Sequence, residues 1–151
     1  MMQVRSVKMC DKESLSRIAI DILEPLYGDQ SKALTGWLYG SFYKKAFVIT
    51  TEDDEVAGLL SLKIDPRKEV VKISTLLILE PYQGNGTGRQ LLDFALDCIQ
   101  SETDKKYVFV TVSEEKQESL LFFQKHGFKV TKTLHGKYKD NTDEYVLEKE
   151  L

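Results

Sequence analysis

Apolar residues follow two spacings along this chain, one typical of strands and one typical of helices. Short runs that are continuously apolar, or that alternate with polar residues, predict seven strands. They cover residues 2–9, 46–51, 56–64, 70–79, 107–112, 128–134 and 143–149. Apolar residues spaced three and four apart predict four helices between these strands.

The first predicted helix carries the most regular apolar stripe. Its apolar positions are Leu15, Ile18, Ala19, Ile22 and Leu23. We expect Asp11 to cap this helix and Pro25 to end it. The other helices are predicted over residues 31–44 and 87–101, and from a cap at Ser113 to a left-handed glycine at Gly127.

The predicted elements follow the order β-α-α-β-β-β-α-β-α-β-β. Short polar turns join the strands at 46–51, 56–64 and 70–79, which favours antiparallel neighbours. The strand at 107–112 is apolar on both faces, as expected of a central strand that is covered on both sides. The pattern therefore predicts an α/β fold with a mixed sheet that has helices on both faces.

Length and charge narrow the function classes. The chain has 151 residues, of which 42% are hydrophobic, so we expect a single domain over residues 1–151. Charged residues of both signs make up 30% of the chain, and the formal net charge is -3. A protein that binds nucleic acid through bulk electrostatics would need a strongly basic face, so we expect no nucleic-acid partner.

The chain shows no sequence signal for a membrane span, and its cysteine spacing shows none for a metal site. The N-terminal residues contain no long apolar segment, and no stretch approaches the length of a membrane span. Cys10 and Cys98 are far apart, and neither histidine has ligand spacing with them. We therefore expect a reduced, cytoplasmic protein without a membrane partner or a metal site.

Three glycines at alternate positions carry the strongest chemical signal. The stretch EPYQGNGTGR at residues 80–89 follows the apolar run LLIL and precedes a predicted helix. Unpaired backbone N–H groups at a helix N-terminus attract anions, and glycine lets a phosphate approach the main chain closely. The P-loop motif is excluded, because Gly88 is followed by Arg89 and not by Lys-Ser/Thr. The dinucleotide fingerprint is excluded as well, because the glycine spacing differs and the motif lies in mid-chain.

The segment Gln83-Gly84-Asn85-Gly86-Thr87-Gly88 resembles the Gln/Arg-x-x-Gly-x-Gly/Ala signature of the GNAT (Gcn5-related N-acetyltransferase) superfamily. The preceding strand, the helix GRQLLDFALDCI and the later block ESLLFFQKHGF also resemble that family. The resemblance spans nearly the whole chain. It implies a mostly antiparallel sheet of the GNAT type and acetyl transfer from acetyl-CoA to a primary amine.

The resemblance also implies a cofactor site. The backbone amides of Gln83, Gly84, Asn85, Gly86, Thr87 and Gly88, with Arg89 in the next turn, would hold the pyrophosphate of acetyl-CoA. The main chain of Leu76, Leu77 and Ile78 would pair with the pantetheine arm. In this family the fourth and fifth strands splay apart, and the thioester lies in the gap between them.

The sequence departs from the family at the residue that donates a proton to the leaving sulfur. Relatives carry a tyrosine in an Asn-x-x-Ala-x-x-Φ-Tyr block (Φ, an apolar residue), and this chain has Phe123 at the tyrosine position. Phenylalanine cannot donate a proton. For the acid and base chemistry we consider Glu80, Tyr138 and Glu144.

The sequence does not identify the amine that accepts the acetyl group. A small amine, a polyamine, an amino acid, a protein N-terminus and a lysine are all compatible with it. Two other functions are also open. One is a non-catalytic acyl-CoA-binding module, suggested by Phe123, and the other is an interaction domain that uses its sheet edges. A second copy of the chain is a further candidate partner.

Overall fold

A computed structural model describes residues 1–137 and 140–151 of the chain. Seven strands form one sheet in the order β1-β2-β3-β4-β5-β7-β6. The strands are β1 (Gln3–Ser6), β2 (Lys44–Thr50), β3 (Val56–Lys63), β4 (Val70–Ile78), β5 (Tyr107–Ser113), β6 (Lys129–His135) and β7 (Asp143–Glu150). All neighbours are antiparallel except β4 and β5, which are parallel. The predicted mixed, mostly antiparallel sheet is confirmed, and so is the order of elements.

Helices cover both faces of the sheet. The helices are α1 (Lys12–Arg17), α2 (Glu24–Tyr27), α3 (Ser31–Tyr39), α4 (Thr87–Glu102) and α5 (Gln117–Lys125). One core lies between the sheet and α4 and α5, and includes Leu91, Phe123 and Phe128. A second core lies between the sheet and the helices α1 to α3, and includes Leu15 and Trp37. None of the helices within the described residues is long and apolar enough to cross a membrane.

The first predicted helix forms and starts after Asp11 as expected, but its capping and its C-terminal end differ from the prediction. A π-helical turn (Ile18–Leu23) joins α1 to α2, so the helix continues past Pro25 to Tyr27. The wider turn leaves room for the proline ring, which would otherwise meet the carbonyl group four residues earlier. Asp11 precedes the helix, but its carboxylate accepts hydrogen bonds from Arg5 and from the Lys8 N–H instead of capping α1.

The second predicted helix is too long. α3 ends at Tyr39, because Gly40 takes the left-handed conformation that stops a helix. A short 3₁₀ turn (Ser41–Tyr43) then leads directly into β2. The predicted helix continued past Gly40 because apolar residues follow at helical spacing. The left-handed glycine nevertheless ends the helix.

Two predictions in the second half of the chain also need correction. Ser113 does not cap α5, which begins at Gln117, because its hydroxyl accepts the Glu115 N–H in a preceding turn. β5 is central but is buried on one face only, since the core on the α1–α3 side contains no residue of β5 or β7. Gly127 has the predicted left-handed conformation, with a φ of 91°.

Candidate active site

The sheet opens between β4 and β5. The two strands pair only from Val70 with Tyr107 to Ile73 with Val110. β4 continues to Ile78, and within the described residues no strand pairs with that edge of β4 beyond Ile73. A bulge lies at the same point of β4: Leu62 of β3 pairs with Ile73 and Ser61 pairs with Thr75, so Ser74 has no residue opposite it on β3.

Three apolar residues line the open part of β4. Leu76, Leu77 and Ile78 are only half-buried, although they end a strand in the middle of the sheet. Leu76 and Ile78 face the core on the α4–α5 side, and Leu77 faces the opposite core. An exposed strand edge beside apolar side chains can bind an extended ligand through main-chain hydrogen bonds.

The glycine-rich loop lies directly after this edge. Gly84 and Gly86 have left-handed conformations, with φ of 83° and 76°, and the space that a side chain would fill at either position is empty to 4 Å. Among the hydrogen bonds of the described residues, none is donated by a backbone N–H of residues 84–89. The first such bond in this helix runs from the Gln90 N–H to the Gly86 carbonyl, at 3.0 Å. The loop therefore presents six free donors at the N-terminus of the sixteen-residue helix α4.

Side chains around the loop fix its position. The Gln83 amide donates to the Ile78 carbonyl at 2.8 Å and joins the loop to the end of β4. Arg89 is 72% exposed and pairs loosely with Asp93, at 3.6 Å. Its guanidinium is free to turn toward an anion at the loop, because an exposed pair of this kind contributes little stability.

An aromatic residue that the sequence analysis missed meets the loop. A side chain at Gly88 would lie 3.5 Å from the Phe122 ring, so Phe122 is the aromatic of α5 that contacts this turn. Phe123 is 4% exposed and packs edge-on against Phe128, with 5.2 Å between ring centroids. Neighbouring residues of a helix point in different directions. With the packing of α5 on β5 known, the sequence would have assigned Phe122 to the loop and Phe123 to the core.

The three candidates for acid and base chemistry differ in position. Glu80 begins a 3₁₀ turn after β4 and is exposed. Tyr138 lies outside the described residues. Glu144 lies on β7 opposite Ser113 of β5, on the face away from Tyr145 and Leu147, and is 9% exposed.

Glu144 is an unusual carboxylate. None of the hydrogen bonds or ion pairs of the described residues includes its side chain. Burial raises its pKa above the usual range, and the negative charges of Glu115 and Glu114 raise it further. The nearby Glu114 carboxylate, in contrast, accepts the Asp143 N–H at 3.1 Å.

Two open hollows on the surface of the described residues lie away from the opening between β4 and β5. The larger, of about 570 Å³, follows the outer side of α1 near Met9 and Ile20. The smaller, of about 290 Å³, lies between Asp93 of α4 and the C-terminal residues. Neither hollow is lined by a residue of β4 or β5.

Comparisons with known proteins agree with this geometry. The model of the acetyltransferase (GNAT) family matches residues 13–128. An N-alpha-acetyltransferase of Saccharolobus solfataricus is 22% identical over 119 residues, which are 72% of this chain and 71% of that protein.

Solved structures share the fold. NAA60 of Arabidopsis thaliana in complex with a bisubstrate analogue has a TM-score of 0.85, at 18% identity, over 99% of this chain and 98% of that one. The same plant protein in complex with acetyl-CoA has a TM-score of 0.84. A spermidine N-acetyltransferase SpeG chimera from Vibrio cholerae and hSSAT has a TM-score of 0.81, at 17% identity, over 99% of this chain and 94% of that one. The match over three quarters of the chain shows that this protein belongs to the acetyltransferase (GNAT) family and is an acetyl-CoA-dependent N-acetyltransferase.

Proposed function

We propose that this chain transfers the acetyl group of acetyl-CoA to a primary amine at the opening between β4 and β5. The observation that carries the proposal is the union of two features, a row of free backbone N–H groups at residues 84–89 and an unpaired strand edge at residues 76–78. The first suits a diphosphate and the second suits an amide-containing arm.

In this proposal the loop binds the pyrophosphate of acetyl-CoA through the amides of Gly84 to Gly88. The backbone N–H of Gln83, which the sequence analysis included, donates to the Glu80 carbonyl at 3.2 Å and is not free. Arg89 adds a positive charge in the first turn of α4, and the main chain of residues 76–78 pairs with the pantetheine arm. The relatives with solved structures have the same fold, and one of them was solved with acetyl-CoA. The role of Phe123 at the cofactor stays a prediction, and Phe122 is the aromatic that contacts the loop.

The reaction forms a C–N bond and breaks a C–S bond. The amine nitrogen attacks the thioester carbonyl carbon, the sulfur leaves as a thiolate, and the amine gives up a proton. An alkyl amine is mostly protonated at neutral pH, so a base must first remove a proton. The thiolate then takes a proton from water or from a protein hydroxyl, since Phe123 has none to give.

Among the described carboxylates, Glu144 fits the base better than Glu80. It lies on the α1–α3 face of the sheet, about 10 Å further along β5 than the last residue that pairs with β4. A base works best when its pKa lies near the working pH, and burial shifts the Glu144 pKa in that direction. Glu80 is exposed and lies past the end of β4.

Replacement of Glu144 by Gln tests this assignment. We expect kcat/KM at neutral pH to fall by about 10²–10⁴. The rise of activity with pH through the carboxylate pKa should disappear in the same variant. Glu148→Gln is the matched control, because Glu148 lies on the same face of β7, four residues away, and is half-exposed. A Glu144→Gln variant with an unchanged pH profile would exclude Glu144 as the base.

The names of the relatives indicate two classes of acceptor amine. The Saccharolobus protein, by its name an N-alpha-acetyltransferase, points to an α-amino group, and the Vibrio spermidine N-acetyltransferase points to a polyamine. A screen of amines with acetyl-CoA, followed by mass spectrometry of the acceptor, decides among them. Binding of acetyl-CoA without acetylation of any amine would favour the non-catalytic module. Failure to bind acetyl-CoA would favour the interaction domain.

A further inference from the structure

Three lysines form a row across the sheet on its α1–α3 face. Lys44 of β2 pairs in register with Lys63 of β3, and Lys63 pairs with Lys72 of β4. All three lie on the α1–α3 face, because Leu62 and the residues on either side of Lys72 belong to the opposite core. Like charges directly opposite each other on neighbouring strands are destabilising, so this row needs an explanation.

The fold holds Lys44 in place at the bulge. Its ammonium donates to the Ser74 hydroxyl at 3.0 Å. Its aliphatic stem lies against α3 at Gly36, where any added side chain would come within 2.5 Å of the Lys44 Cγ atom. Gly36 therefore leaves the space that this lysine occupies, and Lys44 is part of a built site rather than a free surface lysine.

The row has no negative partner among the described residues. None of their ion pairs includes Lys44, Lys63 or Lys72. Burial lowers the pKa of Lys44, and the positive charges of Lys72, Lys63 and Lys32 lower it further. A bound anion would offset both the burial of the Lys44 ammonium and the repulsion between the lysines.

The row is close to the reacting centre and far from the loop that holds the diphosphate. Ser74 follows Ile73, the last residue of β4 that pairs with β5, so the Lys44 ammonium lies where the sheet opens. Lys72 is six residues before Ile78 along β4, a distance of about 20 Å, and the glycine-rich loop comes after that. The 3′-phosphate and pyrophosphate of acetyl-CoA are therefore poor candidates for this charge.

We propose that Lys44 and Lys72 bind a carboxylate that the acceptor carries close to its reactive amine. This inference rests on the proposed function and specifies the acceptor of the same site. A polyamine such as spermidine would bring further positive charge to the row and is disfavoured. An α-amino group followed by an acidic residue, or a free amino acid, brings the matching negative charge.

Two peptides that differ at one position test the proposal, one beginning Ala-Asp and the other Ala-Lys. Free glutamate and spermidine are the small-molecule probes with the corresponding charges. We expect the wild-type protein to acetylate Ala-Asp with a kcat/KM at least about tenfold above that for Ala-Lys, the effect of one hydrogen bond to a charged group. Glutamate should likewise exceed spermidine if a small acceptor is used.

Lys44→Met keeps the buried stem and removes the charge, and Lys72→Gln removes the second charge. Each variant should lose most of the Asp preference through KM, with the Kd for acetyl-CoA unchanged. Lys45→Met is the matched control, because Lys45 is the next residue of β2 but lies over the Phe47 ring on the other face, at 5.3 Å. It should keep the preference.

Equal kcat/KM for the two peptides, or a preference that survives in both variants, would overturn the inference while leaving acetyl transfer intact. A changed Kd for acetyl-CoA with an unchanged peptide preference would also overturn it, since the row would then bind the cofactor. If no probe is acetylated, calorimetry with the same peptides in the presence of CoA measures the preference directly. Equal binding of the two peptides there would overturn the inference, separately from the failure of the proposed function.

Discussion

Gly86→Val is the perturbation that probes the cofactor loop most directly. Gly86 occupies the N-cap of α4 with a φ of 76°, and nothing lies within 4 Å of the position that a Cβ atom would take. The new side chain would therefore project into the space where the loop amides meet their ligand. It would also have to adopt a left-handed conformation, which β-branched residues rarely do.

The expected effect has two parts. The left-handed conformation costs about 1–2 kcal/mol of the free energy of unfolding. Separately, the branched side chain keeps a diphosphate from the free N–H groups of residues 84–89. A hydrogen bond to a charged group contributes about 1.5–3 kcal/mol, so the loss of even one weakens acetyl-CoA binding by at least about 1.5 kcal/mol, or roughly tenfold in Kd.

Gly40→Val is a matched control for the strain. Gly40 ends α3 in the same left-handed conformation, with a φ of 70°, and the atom nearest to its Cβ position, the Lys44 carbonyl oxygen, lies at 3.7 Å, an ordinary van der Waals distance. Both variants should lose similar stability in urea denaturation. Only Gly86→Val should lose acetyl-CoA affinity in isothermal titration calorimetry.

Unchanged acetyl-CoA affinity in a folded Gly86→Val protein would remove the loop from the cofactor site. Equal losses of affinity in both glycine variants would contradict the reasoning in another way. Such a result would mean that the loss of acetyl-CoA affinity comes from global destabilisation and not from a side chain in front of the loop.

Three further predictions test other parts of the structure. Acetyl-CoA affinity should fall as ionic strength rises, and less steeply in Arg89→Ala, because an exposed charge is screened by salt; calorimetry in a salt series that shows no dependence would contradict this. Phe123→Tyr should raise turnover by up to about 10²-fold where the new hydroxyl reaches the leaving sulfur, and unchanged kcat in a folded variant would argue that no acid is missing there. Asp11→Asn should lower the free energy of unfolding by about 3 kcal/mol, because the Arg5 guanidinium, 2.8 Å away, would lose its buried partner. Burial of Asp11 raises its pKa, but the hydrogen bonds from Arg5 and Lys8 outweigh burial and leave it lowered. The stabilisation is therefore present above about pH 4 and is lost as pH falls through the lower folded pKa, so urea denaturation of the Asn variant should be less sensitive to acid.

The features that the sequence predicted well depend on local patterns. The seven strands, the order of elements and the helix after Gly86 follow from apolar spacing and from glycine positions. The free N–H groups of the loop could be anticipated for the same reason, because three glycines after a strand leave a helix start without capping side chains. That the chain is a single domain stays a prediction.

The features that the sequence did not predict depend on contacts between distant segments. The bulge at Ser74 is visible only when β4 is aligned with β3, and the row from Lys44 to Lys72 exists only across three paired strands. The burial of Glu144 depends in the same way on β5 and β6 on either side of β7. Before Pro25, a π-helical turn lets the helix continue where we expected it to end. Residue preferences alone do not predict such a change in the backbone.

Acetylation of an amine by the purified protein is the most direct test of the central claim. The protein is incubated with acetyl-CoA and the amine panel, and CoA thiol release is measured together with the mass of each amine. We predict equal amounts of free CoA and acetylated amine with the wild-type protein, and much less of both with Gly86→Val. Tight acetyl-CoA binding with no acetylated amine in any reaction would contradict the claim.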